Sequence, residues 1–160
     1  MTTGSAPHPW HLSDRHPPFR FTVRQRVGFD ETDAQGIVYY GRYMPYFDRA
    51  RVEYLRELGI LGGHRDREQF VMRRHEVDYL APATFDDLIE VLVRVARIGE
   101  TSATFEYAAF RSDDVALATA RQVMVRIDLA ERTPVAVPTS FREAVGAFGA
   151  FERRAAETQG

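Results

Sequence analysis

A chain of 160 residues is long enough for one domain that buries about two-thirds of its unfolded surface in a single core, with no need of a metal or disulfide to hold it. With 44% hydrophobic residues, 28% charged residues and a formal net charge of -2, it has the balance of an ordinary globular protein and no electrostatic reason to bind nucleic acid or an anionic membrane. It has no Cys, Lys or Asn, which excludes a thiol nucleophile, a Schiff-base or phosphate-loop lysine, an N-glycosylation acceptor and a thiolate metal site.

No apolar run approaches the ~18 residues of a membrane span, and the N-terminus lacks a signal-peptide pattern, so a cytoplasmic protein is expected. Residues 1–18, with Pro7, Pro9, Pro17 and Pro18 and few apolar side chains, read as a flexible tail. Its His8, His11 and His16 would have no fixed geometry there, and no metal site is expected. From residue 19, Phe19, Phe21, Val23, Val27 and Phe29 alternate with polar residues as in a half-buried strand. A polar turn from Asp30 to Gly36 ends it, and the period then changes. Tyr43, Phe47, Ala50, Tyr54 and Leu58 fall at i, i+4, i+7, i+11 and i+15, the stripe of a helix of about four turns. Pro45 fits only its first turn, and Gly59 stops it.

After a loop carrying Gly62 and Gly63, four more strands are predicted: Phe70 to Leu80, Leu88 to Ile98, Ser102 to Arg111 and Val115 to Leu129. Turns at Pro82 to Asp87, Gly99 to Thr101 and Ser112 to Asp114 separate them. Strand, helix, then antiparallel meander is an α+β order, in which the sheet lays one face on the helix and the other on solvent or a second subunit. Ser140 with Glu143 suggests the capping box of a short C-terminal helix bearing Phe141, Val145 and Phe148. The domain thus covers residues 19–138, and a helix and tail cover 139–160.

The chemistry concentrates in the turn. Asp30, Glu31 and Asp33 stand just before a helix, where backbone N–H groups lack partners and the dipole is positive. A carboxylate there can cap a local turn, or it can act as nucleophile or general base beside donors that hold a developing oxyanion. Gly36 and Gly41 leave room for close approach to the backbone. Asp30 and Glu31 read as turn and surface groups, and Asp48, Arg49, Arg51 and Glu53 as ion pairs along a helix flank. His75 reads as a structural histidine, and no G-x-S-x-G element makes a serine the nucleophile.

The stretch FDETDAQGIVYYGRYMPYFDRARVEYLRELG resembles the opening motif of hotdog-fold acyl-CoA thioesterases of the 4-hydroxybenzoyl-CoA thioesterase type, especially the acyl-CoA hydrolase branch associated with the Tol-Pal gene cluster. EVDYLAPATFDDLIEVLVRV and TSATFEYAAFR are similar to later strands of that family, so the resemblance runs from about Phe19 to Pro138. It implies a hotdog: five to six antiparallel strands wrapped round one long central helix. It further implies a homodimer or homotetramer with sites at the subunit interface, and an acyl-CoA substrate, coenzyme A being part of that substrate rather than a cofactor. By the same resemblance Asp33 is the catalytic carboxylate and the N–H of Tyr40 polarises the thioester carbonyl. Gly36, Ile37, Val38, Tyr39, Gly41 and Tyr43 would line the acyl site with them, and Arg97 and Ser102 would bind substrate.

Where the 4-hydroxybenzoyl enzyme carries a basic cluster, this protein reads Gly99-Glu100-Thr101-Ser102, which leaves Arg97, Arg73, Arg74 and Arg126 as candidate phosphate partners. Two other functions remain open: a hotdog that binds an acyl group without hydrolysing it, and a thioesterase for polyketide or fatty-acid thioesters of an acyl-carrier protein.

Overall fold

The alternating runs become the strands of a single sheet, and the helical stripe becomes the helix that the sheet enfolds. The computed structural model describes residues 9–158, with side chains as far as residue 149; His8 and the last two residues of the expected C-terminal tail lie outside the described residues. The strands are β1 (Trp10–Leu12), β2 (Phe21–Arg26), β3 (Glu68–Tyr79), β4 (Leu88–Ile98), β5 (Ser102–Arg111), β6 (Ala116–Asp128) and β7 (Thr133–Pro134), and the helices are α1 (Tyr43–Glu57) and α2 (Thr139–Thr158). The sheet has seven strands where five to six were expected. The additions, β1 and β7, are three and two residues long, too short to show a period.

All pairings are antiparallel, in the order β1-β2-β4-β5-β6-β3, with β7 on β6. The expected meander holds for β4, β5 and β6 only. Strand β3 pairs with β6 at the far edge, from Glu68↔Asp128 to Tyr79↔Ala118, so the link from β3 to β4 crosses the end of the sheet. Bulges between Met72 and Arg74, Val95 and Arg97, and Ala109 and Phe110 add the local twist that lets the sheet curl.

Helix α1 buries Tyr43, Tyr46, Phe47, Ala50 and Tyr54 against Ile89, Val91, Val93, Phe105 and Tyr107 of the sheet. Its end is closed by two carbonyls: Gly59 N–H donates to Arg56 C=O and Ile60 N–H to Leu55 C=O, both at 3.0 Å, the paired bonds that stop a helix. Helix α2 starts at Thr139, one residue ahead of Ser140, with Phe141 N–H donating to Pro138 C=O; its 20 residues exceed the short helix expected. Phe141 is buried, and Phe148 packs edge-on against Phe21 and Tyr54.

The other face of the sheet is only partly left to solvent. Strand alternation turns Leu92 and Ala108 away from α1, yet they are 0% and 2% exposed. Part of the segment expected as a flexible tail lies on that face: His16 stacks on Phe110 at 3.6 Å and Arg15 pairs with Glu90 and Asp114. β1 pairs with β2, and on the α1 side Trp10 stacks on Phe21. A flexible tail is therefore wrong for the described residues from Trp10 onward: the partners that order them lie up to 99 residues away.

Phe47, 0% exposed in the middle of α1, sets the cost of breaking this core. Phe47→Ala should destabilise by about 3–5 kcal/mol in urea unfolding, whereas Leu129→Ala, 42% exposed, should shift stability by less than about 0.5 kcal/mol.

Candidate functional site

Between β2 and α1 the backbone makes a miniature hairpin that fixes Asp33. Asp33 N–H donates to Ile37 C=O and Gly36 N–H to Asp33 C=O, each at 2.9 Å, and Thr32 bridges to Val38. Gly36 has φ +79°, a backbone angle that disfavours any side chain. Asp33 Oδ1 accepts the Gln35 N–H at 2.8 Å, so one carboxylate oxygen does cap the local turn. The hairpin is pinned to the next loop by Val38 N–H donating to Ala83 C=O at 2.8 Å and by an Ile37–Thr84 bridge.

Glu31 is the residue whose reading changes most. Expected as a surface group, it is 8% exposed. Its Oε1 accepts the Gly28 N–H at 2.7 Å, and its backbone carbonyl accepts the Tyr39 N–H at 3.0 Å. One residue thereby holds both ends of the acidic loop. Burial, with the Glu31 carboxylate adding to it, pushes the Tyr46 phenol well above its ordinary range. The carboxylate thus lies against α1 as well. Sequence reasoning missed this because Glu31 looks like any acid beside Asp30.

A 3-10 turn, Tyr40–Arg42, leads straight into α1. Tyr39 N–H is taken by Glu31, so the N–H groups of Tyr40 and Gly41 are the first that precede any intrahelical acceptor. A Cβ on Gly41 would stand 2.8 Å from the Tyr39 ring, so only glycine allows that ring to lie flat on the turn.

Ile37, Val38, Tyr40 and Tyr43 come together in one cleft of about 260 Å³, closed on the far side by Tyr79, Leu80, Ala81 and Pro82. Tyr79 O–H donates to Tyr40 C=O at 3.2 Å, and its ring meets those of Tyr40 and Tyr43 edge-on. Burial first, then Tyr79 and Asp87, raise the Tyr43 phenol to about 12, so it stays a neutral donor at the cleft wall. Asp33 and Gly36 form the turn beside this cleft, and Tyr39 stands half-exposed at its rim. The segment Tyr79 to Pro82 lay inside a recognisable motif, but only the fold brings it to the turn.

Arg97 and Ser102 do not join the others within one protomer. They sit at the β4–β5 hairpin, nine residues along β4 from the end that meets the acidic loop, about 30 Å away. Arg73 and Arg74 are exposed near the middle of β3. Arg51 makes the expected i,i+3 ion pair, with Asp48 at 2.9 Å, and also reaches inward, its Nη1 donating to Gln122 Oε1 at 2.8 Å and to Tyr107 Oη at 3.3 Å. His75 Nδ1 is buried with no hydrogen-bond partner among the described residues, and burial lowers its pKa. Among the described residues no group of three or more His, Asp or Glu side chains is arranged to hold a metal, and no helix is long and apolar enough to cross a membrane.

Comparison with known proteins bears on the family and the fold. A model of the thioesterase-like superfamily matches residues 27–145. The protein is 35% identical over 127 residues to the acyl-CoA thioesterase YbgC of Haemophilus influenzae, across 78% of its own length and 93% of that protein. It is 33% identical over 124 residues to the acyl-CoA thioester hydrolase YbgC of Escherichia coli, across 76% of its own length and 91% of the other. Among solved structures, a protein of Aquifex aeolicus superposes with a TM-score of 0.72 at 33% identity, covering 78% of the present protein and 98% of its own length. A 1,4-dihydroxy-2-naphthoyl-CoA thioesterase from Synechocystis superposes equally well, TM-score 0.72, at 21% identity over 78% of the present protein and 93% of that one, a likeness of fold alone.

The double hold of Glu31 on the acidic loop gives a direct expectation. Glu31→Ala should lose the amide-exchange protection of Gly28 and cost about 1–3 kcal/mol in stability. Glu31→Gln, which still offers an oxygen to Gly28, should keep most of both, as read by hydrogen–deuterium exchange and thermal unfolding.

Proposed function

The protein belongs to the thioesterase-like superfamily and has the hotdog fold, and we infer that it is an enzyme that hydrolyses acyl-CoA thioesters to a free acid and coenzyme A. What supports the residue assignment is the hydrogen-bonded turn that holds Asp33 against Ile37, a few residues ahead of the 3-10 turn whose Tyr40 and Gly41 N–H groups have no acceptor among the described residues. Asp33, or a water it activates, attacks the thioester carbonyl carbon. The oxyanion is received by the N–H of Tyr40, with the dipole of the turn and α1 behind it. Collapse of the adduct expels the coenzyme A thiolate, a leaving group good enough to go without a strong general acid. If Asp33 is the base, it has taken the water's proton and the acid is released directly; if it is the nucleophile, a water then hydrolyses the acyl–Asp33 anhydride to the acid and the free carboxylate. The acyl group lies along Ile37, Val38, Tyr39 and Tyr43, with Gly36 and Gly41 keeping the backbone open. The reaction runs in the cytoplasm and needs no cofactor or metal.

The working unit in this proposal is a homodimer or a tetramer built from it. Two features support that. Among the described residues strand β3 is bonded on one side only, to β6, which leaves a 12-residue edge for a second copy. If two β3 strands pair antiparallel about a two-fold axis, the Glu68 end of one lies beside the Tyr79 end of the other. That carries the hairpin with Arg97 and Ser102 toward the partner's Asp33 cleft and gives these two residues a route to the substrate's phosphates.

Release of free thiol from a panel of acyl-CoAs tests the assignment. Asp33→Asn, still folded, should lose at least about 100-fold in rate, and hydrolysis as fast as the parent's would remove Asp33 from the mechanism. If acyl-CoAs are inert but an acyl-carrier-protein thioester is cleaved with the same dependence on Asp33, the carrier is the substrate.

A further inference from the structure

A second hollow, of about 530 Å³, lies at the opposite end of α1 from the Asp33 cleft, between the helix, the loop after it, the starts of β3 and α2, and the end of β6. Its size falls within the roughly 300–1,000 Å³ of small-molecule pockets. Leu55, Phe70, Met124 and Phe141 give it an apolar patch, and Arg51, Asp66, Glu68, Gln69 and Arg126 give it a polar side. Its rim is preformed. Asp66 Oδ2 accepts the Gly63 N–H at 2.8 Å, and Gln69 Nε2 donates to the carbonyls of Gly63, His64 and Asp66 at 3.3, 3.1 and 2.8 Å.

Two guanidinium groups face this hollow, and they differ. Arg51 is bound to Gln122, Tyr107 and Asp48. Arg126 lies on the α1 side of β6, in line with Gln122 and Met124, and its carbon stands 5.5 Å over the Phe70 ring. Its Nε is buried and makes no hydrogen bond among the described residues; it forms a loose ion pair with Glu68 Oε2 at 3.6 Å, and the half-exposed Glu68 lines the same hollow together with Asp66. A forked cation whose ion pair with the half-exposed Glu68 is too long for a hydrogen bond, set at the edge of an apolar patch, matches a carboxylate on an apolar body that displaces Glu68. The two oxygens of such a group take the fork side by side, and the hydrocarbon replaces water against Leu55 and Phe141.

We propose that this hollow is a binding site for a small apolar carboxylic acid, with Arg126 as the residue that pairs its carboxylate. Binding itself is independent of the proposed hydrolysis. One consequence does rest on that reading: in the two-fold pairing described above, the Glu68 end of β3 adjoins the partner's Asp33 cleft, so the site stands where a free acid is produced. Aliphatic and aromatic acids share the chemistry, and octanoate and benzoate separate them.

Calorimetric titration of the full-length protein with octanoate and with benzoate reads the site directly. At least one acid should bind, octan-1-ol should bind at least tenfold more weakly than octanoate if octanoate is the ligand, and Arg126→Met should weaken the acid about tenfold or more. Binding unchanged in Arg126→Met, or no binding of either acid to the parent, overturns the proposal. Should Arg126→Met fail to fold, Phe141→Trp places a fluorophore in the wall: an emission change on adding acid supports the site, and none overturns it. Repeating the titration in Asp33→Asn separates the two readings, because loss of hydrolysis there should leave acid binding intact.

Discussion

Helix α1 carries four aromatic rings and an alanine on one face, and the surface that takes them is the concave side of the sheet. Tyr43, Tyr46, Phe47, Ala50 and Tyr54 are all 3% exposed or less, which at about 2–3 kcal/mol for each large side chain makes this burial a dominant stabilising term of the domain. The burial also fixes where the helix starts. With Tyr43 and Tyr46 locked beneath the sheet, the turn that precedes them cannot drift. Glu31 and the Ile37–Thr84 bridge then need only local hydrogen bonds to hold the acidic loop against an immobile helix end. The site's rigidity is thus a by-product of core packing, and its chemistry lies in the few backbone groups that packing leaves unpaired.

Most of this frame was legible because it is local. The five long strands and α1 announced themselves through periods of 2 and 3.6, and their observed bounds differ from the expected ones by a few residues. The turn was legible for a similar reason: Asp33, Gly36 and Gly41 are residue types with a definite backbone meaning. What stayed hidden depends on distant partners. The order of the N-terminal segment rests on His16 meeting Phe110 and Arg15 meeting Glu90, and no pattern within residues 1–18 records that. The position of β3 at the far edge depends on which strands pair, and periodicity is silent on pairing. Glu31 and Arg51 both looked like surface charges, yet each turns inward to a hydrogen-bonding group on another element.

The molecule also divides its polar chemistry along α1. At the N-terminal end stand a carboxylate, N–H groups without an acceptor among the described residues and a neutral phenol, the groups proposed to act on a thioester carbonyl. At the C-terminal end stand two arginines, one paired with Asp48 and one loosely with Glu68, around the hollow proposed to take a carboxylate. The β4–β5 hairpin with Arg97 and Ser102 shares that second end, being paired with β6 at Ser102↔Val125 while β6 meets β3 at Glu68↔Asp128. A single chain therefore keeps apart the groups proposed to act on the thioester and those proposed to bind its phosphates. In the proposed dimer, pairing at the open edge of β3 would bring the two ends into one place and so complete a site rather than merely bury surface.

The most direct test of the Asp33 and Tyr40 assignment is a crystal structure of the protein with a non-hydrolysable ketone analogue of an acyl-CoA. The account predicts the analogue's carbonyl oxygen at about 2.7–3.1 Å from the Tyr40 nitrogen, with the Asp33 carboxylate, or one water held by it, facing the carbonyl carbon. A carbonyl seated away from the turn, with Asp33 still bound only to Gln35, would contradict it.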